Sequence, residues 1–353
     1  MRPIHSFASF LTIILTLSFA INFYVLARLC SLFGIKKGPL FWVVLLVCTV
    51  SLIGAAILHS HLANIISTIV YTIATTWLGV LWLLFCTLLV YELLRLFVKI
   101  NPPAAGLIIL TIVALLCVYS TINARLLRVK TLTIPGNADL RIVHLSDIHI
   151  GSVSASFLNR IIDKTNALNP DLVLITGDLL DNLNKTTRKA LPCLKKLNAP
   201  AFLVTGNHET YIGPARITQL LSACNVTLLD NQSVDYGPAR IIGIAHTAGR
   251  ETLPQVLHDL NTDNSKFSIL MYHRPVDLHT LSAAGINLTL SGHTHAGQIF
   301  PFNYIIGLFH RPLSGLHNHN GTYIYVTSGT GTWGPRMRLG SRSEIVLLKI
   351  TRI

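Results

Sequence analysis

The chain has 353 residues, of which 51% are hydrophobic and 12% are charged, and its formal net charge is +13. Because soluble globular proteins have about one charged residue in four, this composition argues against an ordinary soluble protein and against a disordered one. Residues 1–130 contain nine basic residues and one acidic residue, whereas residues 131–353 contain nineteen and fourteen. The sequence therefore predicts an apolar first third and a mildly basic globular remainder that is long enough for one complete core.

The first third contains apolar runs that are long enough to cross a membrane, which takes about 20 residues. No Asp, Glu, Lys or Arg occurs between Arg2 and Arg28 or between Lys37 and Glu92, and the longer interval has a polar break near its middle. We predict a membrane region at residues 1–122 with four transmembrane helices, at residues 6–27, 39–58, 65–90 and 104–122. A cleaved signal peptide is the alternative for the first run, and the three runs that follow favour a helix. Because the predicted helices contain no charged residue, we interpret them as an anchor rather than an ion pathway.

Basic residues in short loops predict how these helices are oriented. The first predicted loop contains Arg28, Lys36 and Lys37, the third contains Arg95 and Lys99, and the second contains no Lys or Arg. This distribution places the first and third loops in the cytoplasm and the C-terminal domain outside it, in a multi-pass protein of the cell membrane. The opposite orientation is favoured by three basic residues that follow the fourth helix, Arg125, Arg128 and Lys130.

After a predicted connector at residues 123–138, short apolar runs alternate with segments of helical spacing. The predicted strands lie at residues 140–145, 172–175 and 201–204, and the predicted helices between them at 157–168 and 185–197. This alternation predicts a parallel sheet flanked by helices. Beyond residue 225 strands predominate, at residues 226–229, 240–245, 267–271, 287–290, 323–327 and 345–350. We therefore predict an α/β sandwich of two sheets in a domain at residues 139–353.

Five of the predicted strands are followed directly by polar residues. These residues are Asp147 and His149, then Asp178 and Asp181, then Asn207 and His208, then His273, and finally His293 and His295. In open α/β sheets the carboxyl ends of the strands are where ligands bind. We expect these side chains to form one site.

Seven of these residues offer the oxygen and nitrogen donors that hard or borderline divalent cations take. They are Asp147, His149, Asp178, Asn207, His273, His293 and His295. Seven donors exceed what one ion takes from a protein and suit two ions, with Asp178 in the middle strand as the natural bridge. Two metal ions about 3.5–4 Å apart can clamp the attacking and leaving oxygens of a phosphoryl displacement.

The order of the motifs resembles the calcineurin-like metallophosphoesterase superfamily over about residues 140–350. The motifs are Asp-x-His, Gly-Asp, Gly-Asn-His-Glu, His and Gly-His-Thr-His. The resemblance implies a four-layer α/β/β/α sandwich and a hydrolase with two divalent ions, for which Mn, Fe and Zn all remain open. It implies that one ion is held by Asp147, His149, Asp178 and His295. It implies that the other is held by Asp178, Asn207, His273 and His293.

The same resemblance implies that His208 contacts the scissile phosphate and protonates the leaving group. Asp181 occupies the place of an aspartate that orients this histidine in phosphoprotein phosphatases, and we expect it to favour the charged form of the ring. Those enzymes continue with Arg-Gly, whereas this chain has Asn182-Leu183. A protein phosphatase is therefore disfavoured.

A closer resemblance is to the bacterial membrane-associated branch, in which apolar helices precede the domain and the chain ends much like residues 327–338. We expect a membrane-anchored phosphoesterase that cleaves a phosphomonoester, phosphodiester or pyrophosphate bond of a small molecule or of a lipid-linked substrate in the bilayer. The alternatives are an enzyme like the UDP-2,3-diacylglucosamine pyrophosphatase of lipid A synthesis, whose substrate is cytoplasmic, and a catalytically silent metal-binding module. A nuclease is disfavoured because no dense basic tract is present.

Further polar and aromatic residues near the C-terminus have two interpretations each. Arg336, Arg338 and Arg342 either bind substrate phosphate or lie in a solvated loop. A predicted lid loop contains His310, His317 and His319, which we interpret as surface histidines. The apolar side chains near this loop, which could cover an acyl chain or touch the bilayer, are Tyr304, Phe309 and Leu316.

Overall fold

The computed structural model describes residues 2–62, 64–249, 251–260, 266–276 and 278–352. The chain divides into two compact units, Met1–Thr121 and Ile122–Ile353. Within the described residues, the first unit consists of helices α1 (Arg2–Leu32), α2 (Pro39–Leu62), α3 (Ile65–Leu94) and α4 (Pro102–Arg125), the last of which ends in the second unit. Each contains a stretch that is long and apolar enough to cross a membrane. The four predicted helices are thus confirmed as candidate membrane spans.

Polar side chains of the first unit form hydrogen bonds and ion pairs within this unit. The Asn22 amide donates to the Ser18 carbonyl (2.8 Å) and accepts from the Trp77 indole (3.0 Å), which joins α1 to α3. Glu92 forms ion pairs with Arg28 and Arg95 near the ends of the helices. These contacts use the polar groups for helix packing, as expected for an anchor.

The second unit contains two six-stranded sheets among its described residues. The strands of the first sheet are, in spatial order, β1 (Arg128–Gly136), β12 (Glu344–Arg352), β2 (Leu140–Leu145), β3 (Leu172–Thr176), β4 (Ala201–Val204) and β5 (Val226–Leu228). Strands β2 to β5 are parallel, and β12 is antiparallel to β2. The strands of the second sheet are β10 (Gly315–His319), β11 (Thr322–Val326), β9 (Leu288–Ser291), β8 (Phe267–Tyr272), β7 (Ala239–Ile244) and β6 (Gln232–Tyr236). Its four central strands, β11, β9, β8 and β7, are parallel.

Alternating side chains place the two sheets between two helical layers. In β2, Val143 and Leu145 pack in a cluster with helix α5 (Ala155–Ala167), whereas Ile142 packs in the cluster between the sheets. In β7, Ile241 faces the first sheet, and Ile242 packs with helices α9 (Leu253–Asp259) and α10 (Leu278–Ala283). The predicted four-layer sandwich is confirmed. Its helices are α5 (Ala155–Ala167), α6 (Lys185–Ala190), α7 (Asn207–Ile212), α8 (Pro214–Leu221), α9 (Leu253–Asp259), α10 (Leu278–Ala283) and α11 (Phe302–Phe309).

Three segments differ in detail from the sequence-based expectation. Residues 128–136, within the expected connector, form the edge strand β1. The predicted helix at 185–197 ends as α6 at Ala190 and continues as a 3₁₀ helix with Pro192 in its first turn. The predicted lid region contains helix α11 and strand β10.

Candidate metal centre

The parallel strands of both sheets end at one edge of the sandwich, where the predicted site residues meet. Three groups of His and Asp side chains have ligand atoms within 4.8 Å of one another. Between them they contain Asp147, His149, Asp178, Asp181, His208, His273, His293 and His295. The remaining predicted ligand, Asn207, places its Oδ1 at 3.2 Å from His273 Nε2.

Cluster 1 consists of Asp147, His149 and His295. The Nε2 atoms of the two histidines are 3.1 Å apart, and His295 Nε2 is 3.4 Å from Asp147 Oδ1. Asp147 and His149 are fully buried. Such close nitrogen and oxygen donors, turned toward one point, fit a divalent cation.

Cluster 2 consists of Asp178, His273, His293 and Asn207. His293 Nδ1 is 3.1 Å from His273 Nε2, and Asp178 Oδ2 is 3.4 Å from the same nitrogen. Cluster 2 thus offers a carboxylate, an amide oxygen and two imidazole nitrogens. This donor set also fits a divalent cation.

The Asp178 carboxylate of cluster 2 also faces cluster 1. Its Oδ2 is 3.9 Å from His149 Nε2 in cluster 1 and 3.4 Å from His273 Nε2 in cluster 2. Its Oδ1 accepts a hydrogen bond from the main-chain N–H of His208 (3.0 Å). That bond fixes the carboxylate with one oxygen directed at both clusters.

Two histidines are held by hydrogen bonds on the ring nitrogen that faces away from their cluster. His149 Nδ1 is 2.6 Å from Asp181 Oδ1, and His273 Nδ1 donates to the main-chain carbonyl of Thr176 (2.8 Å). Each bond leaves Nε2 directed at the cluster. Metal-bound histidines are oriented in the same way, by a carboxylate or a carbonyl on the distal nitrogen.

The loops that carry the ligands adopt backbone conformations that non-glycine residues rarely use. Positive φ angles occur at Asp147 (52°), His149 (55°), Asp178 (50°), His293 (71°) and His295 (48°). Each such conformation costs on the order of 1 kcal/mol and persists where the surroundings fix it, which is typical of functional sites.

Two glycines allow these loops to approach one another. A Cβ atom at Gly206 would lie 2.1 Å from Asp178 Oδ1, and one at Gly292 would lie 2.2 Å from Asp147 Oδ2. The glycines of the Gly-Asn-His-Glu and Gly-His-Thr-His motifs are therefore required by close packing against two carboxylates.

Glu209 was not among the predicted site residues. This fully buried carboxylate accepts hydrogen bonds from the main-chain N–H groups of Asp178 (2.8 Å), Leu180 (2.9 Å) and Gly206 (2.8 Å). Burial, together with the charge of Asp178, raises the pKa of Glu209 to about 7. Its contacts join the loop after β3 to the loop after β4, and its place in the Gly-Asn-His-Glu motif was the available signal.

Asp181 lies closer to His149 than to His208, the histidine that it was expected to orient. Its Oδ1 is 2.6 Å from His149 Nδ1 but 3.4 Å from His208 Nδ1. Burial lowers the pKa of His208, and the charges of Asp178 and Asp181 do not offset this effect. The pKa of His208 thus lies below its ordinary value, in contrast to the expectation that Asp181 favours the charged ring.

Arg338 occupies neither position expected from the sequence. Its guanidinium is fully buried and donates to the main-chain carbonyls of Ser328 and Gly331, both at 2.7 Å. The Gly331 N–H in turn donates to the carbonyl of Asp147 (2.9 Å). Arg338 thus supports the loop behind cluster 1 and is not exposed to a substrate phosphate.

The histidines of the predicted lid region separate into two groups. The His310 ring lies beside the His293 ring, with centroids 4.9 Å apart. His317 and His319 lie in β10, and the His319 ring packs against His279 instead. Of the three, His310 is the one placed next to the metal centre.

Comparisons with known proteins agree with this geometry. A family model described as calcineurin-like phosphoesterase matches residues 140–297. An uncharacterised metallophosphoesterase of Campylobacter jejuni is 37% identical over 257 residues, which are 68% of this chain and 68% of that protein. An uncharacterised metallophosphoesterase of Aquifex aeolicus is 31% identical over 258 residues, which are 68% of this chain and 97% of that protein.

A relative described as a transmembrane protein is also found. A transmembrane protein with metallophosphoesterase domain from Bos taurus is 35% identical over 239 residues, which are 61% of this chain and 53% of that protein. The chain thus spans about half the length of the bovine protein. With its ordered motifs and its four candidate membrane spans, the chain belongs to the calcineurin-like phosphoesterase family, as a hydrolase that acts on phosphoric ester bonds.

Proposed function

We propose that this protein is a membrane-anchored phosphoesterase with two divalent metal ions in one centre. The position of Asp178 carries the proposal, because its Oδ2 faces His149 in cluster 1 and His273 in cluster 2. The first ion would be held by Asp147, His149, Asp178 and His295, and the second by Asp178, Asn207, His273 and His293. When bound, such a pair clamps the attacking and leaving oxygens of a phosphoryl displacement.

His208 is positioned to bind the phosphate and to move a proton. Its side chain is 17% exposed, its Nδ1 faces Asp181 at 3.4 Å, and its Nε2 is 4.0 Å from Asp178 Oδ2. Asp181 lies on the Nδ1 side of the ring and leaves Nε2 directed toward the centre. The negative charge of a bound phosphate favours the doubly protonated ring, which can donate its Nε2 proton to the leaving oxygen. The ring also keeps contact with solvent, from which it regains the proton.

The substrate that we propose carries an apolar chain. Helix α11 has no buried residue, and the side chains of Tyr304, Leu308 and Phe309 are 67–71% exposed. The helix is followed by His310, whose ring packs against His293 of cluster 2. An exposed apolar helix that ends at the metal centre suits a lipid-linked phosphoester.

The side of the membrane is a separate proposal. Four basic residues in the first and third helical loops and Arg28 near the end of α1, against no Lys or Arg in the second loop, favour a catalytic domain outside the cytoplasm. A reporter that is active only outside the cytoplasm, fused after Ile353, should be active. Activity of a cytoplasm-only reporter at the same place would reverse the orientation and favour the UDP-2,3-diacylglucosamine pyrophosphatase-like alternative.

The activity can be tested on the purified full chain in neutral detergent. We expect hydrolysis of bis(p-nitrophenyl) phosphate after loading with Mn²⁺, Fe²⁺ or Zn²⁺, and none by a variant with both Asp147→Asn and His273→Ala. No hydrolysis with any of these ions would leave the silent metal-binding module as the better description.

The preference for lipid is tested by a matched pair of substrates, a phosphatidic acid and glycerol 3-phosphate. The wild type should turn over the lipid faster. The variant Leu308→Ser/Phe309→Ser, which changes only exposed side chains of α11, should lose that preference while it still hydrolyses the soluble ester. An unchanged preference would reject the role of α11.

A further inference from the structure

The second unit contains a cavity of about 290 Å³ away from the proposed metal ligands. Three arginines line it, Arg125 at the end of α4, Arg160 on α5 and Arg336 in the C-terminal loop. We call it the arginine cavity. Hydroxyl groups of Ser154 and Ser156 lie on its wall.

The charges that line the arginine cavity have one sign. Its lining contains no acidic side chain. Across the described ranges, neither Arg125 nor Arg160 forms an ion pair with a carboxylate. Arg160 donates instead to the main-chain carbonyl of Arg125 (2.5 Å), and its guanidinium lies 5.3 Å from the centre of the Phe157 ring. These contacts bring two guanidinium-bearing chains together without neutralising their charge.

The serine hydroxyls and the first turn of α5 also make the arginine cavity suitable for binding an anion. Ser154 caps the 13-residue helix α5, and its hydroxyl accepts from the N–H of Phe157 (3.2 Å). The hydroxyl of Ser156 is 2.9 Å from that of Ser154. The first turn of α5 therefore adds the partial positive charge of a helix N-terminus to the charge of the arginines. Planar guanidinium groups match the oxygens of a phosphate in pairs.

The arginine cavity adjoins the end of α4 and the loop that supports cluster 1. Arg125 is the last residue of α4, whose 24 residues rise about 36 Å, slightly more than the roughly 30 Å hydrocarbon layer of a bilayer. On another wall lies Gly331, whose N–H donates to the carbonyl of Asp147 (2.9 Å). A ligand in this cavity would thus lie next to the end of a candidate span and behind cluster 1.

We propose that the arginine cavity binds a phosphate group at a site separate from the metal centre. The same chemistry suits the headgroup of an anionic lipid or a soluble phosphate, and the place of Arg125 at the end of α4 favours the lipid. The proposal does not depend on the proposed substrate, because none of the residues that line the cavity is a proposed metal ligand.

The test measures equilibrium binding to the full metal-loaded chain in neutral detergent, with dihexanoyl phosphatidylglycerol and with inorganic phosphate as separate probes. The variant Arg160→Gln/Arg336→Gln should bind phosphatidylglycerol about tenfold more weakly or worse, because hydrogen bonds to a charged group are lost. Arg128→Gln is the matched control, since Arg128 is exposed near the same helix end and does not line the cavity. Binding of phosphate at the metal centre is common to all variants and cancels in the comparison.

A second variant guards against misfolding of the double variant. Ser156→Asp places a carboxylate in the first turn of α5, where an acid stabilises the helix while it repels an anion in the cavity. Weaker binding of phosphatidylglycerol alone would identify a lipid headgroup, and weaker binding of both probes would identify a general phosphate site. Unchanged binding of both probes in both variants, with unchanged unfolding temperatures, would overturn the proposal.

Discussion

The two clusters of the metal centre differ in what holds their histidines. In cluster 1, His149 is held by the Asp181 carboxylate, whereas in cluster 2, His273 is held by the main-chain carbonyl of Thr176 in β3. A side-chain carboxylate can be replaced by mutation, but a carbonyl of a central strand is fixed by the sheet. We therefore expect metal binding at cluster 1 to be sensitive to the loss of Asp181, and metal binding at cluster 2 to have no equivalent side chain whose loss would free His273.

The clusters are alike in how their histidines are protonated. Burial is the largest single influence on His149 and would lower its pKa, but Asp181, Asp178 and Asp147 together raise this pKa to about 9. Burial would also lower the pKa of His273, but the neighbouring groups, with Asp178 first among them, raise this pKa to about 9. The second histidine of each cluster has a lowered pKa, chiefly through burial and then through its charged neighbour, at His295 and at His293. Without metal, each cluster therefore contains one charged and one neutral imidazole.

The largest effect should come from Asp178, which the two clusters share. We expect Asp178→Asn to abolish hydrolysis of bis(p-nitrophenyl) phosphate and to remove metal from both clusters, because a neutral amide replaces the carboxylate that faces both. Turnover and metal content, measured on the same preparation, check this. A change in one cluster alone, such as His295→Ala, should reduce turnover and metal content less.

Asp163→Asn is the matched control for that variant. It removes a carboxylate from an exposed position of α5 and should leave metal content and turnover unchanged. Full metal occupancy with wild-type turnover in Asp178→Asn would contradict the shared role and would make the two clusters independent.

The next largest effect is expected at His208, which lies between the clusters without belonging to either donor set. His208→Ala should retain both ions but lose about 10²–10⁴-fold in rate on an alkyl phosphate ester, which needs a proton on its leaving oxygen. The p-nitrophenyl ester has a good leaving group and should lose much less. Equal losses would show that His208 only positions the phosphate, and loss of metal would show that it supports the centre structurally.

Asp181 provides the direct test of the difference between the clusters. Measured above about pH 9, where the wild-type His149 has already lost its proton, Asp181→Asn should weaken metal binding at cluster 1 by about 10–100-fold, because the distal nitrogen of His149 loses its charged partner. Cluster 2 should keep its affinity, since the bond between His273 and Thr176 is unchanged. Titration of the metal-free variant with Co²⁺, followed by absorbance, separates one weakened site from two. Equal weakening at both sites would contradict the asymmetry.

Much of this centre could be predicted because its ligands follow buried strands. Asp147, Asp178 and Asn207 come shortly after β2, β3 and β4, whose apolar runs are plain in the sequence. The edge strand β1 could not be predicted in this way, because Ile134 is its only fully buried residue and the apolar alternation is lost. An edge strand packs on one side, so its composition resembles that of a loop.

The interactions around the ligands were less predictable than the ligands. How Asp181 divides between His149 and His208 depends on a difference of less than 1 Å, which sequence spacing does not contain. Arg338 was expected to be exposed because it is charged, but its bonds to loop carbonyls replace water. Glu209 is a buried acid for the same reason, with three main-chain donors around it.

The smallest expected effect is a pH dependence that distinguishes the clusters. Because His149 and His273 each have a pKa of about 9 in the metal-free protein, a proton must leave each cluster before its ion binds. Metal affinity at both sites should therefore rise about tenfold per pH unit at neutral pH and level off above about pH 9.

In the Asp181→Asn variant, the metal affinities of the two clusters should depend on pH in different ways. The pKa of His149 falls when Asp181 loses its charge, so the metal affinity of cluster 1 should level off at a lower pH. The metal affinity of cluster 2 should keep rising up to about pH 9. Co²⁺ titrations of wild type and variant between about pH 6 and 8 measure both slopes. If both slopes stayed unchanged, Asp181 would not set the protonation of His149. If both fell together, Asp178 would couple the clusters so tightly that they titrate as one unit.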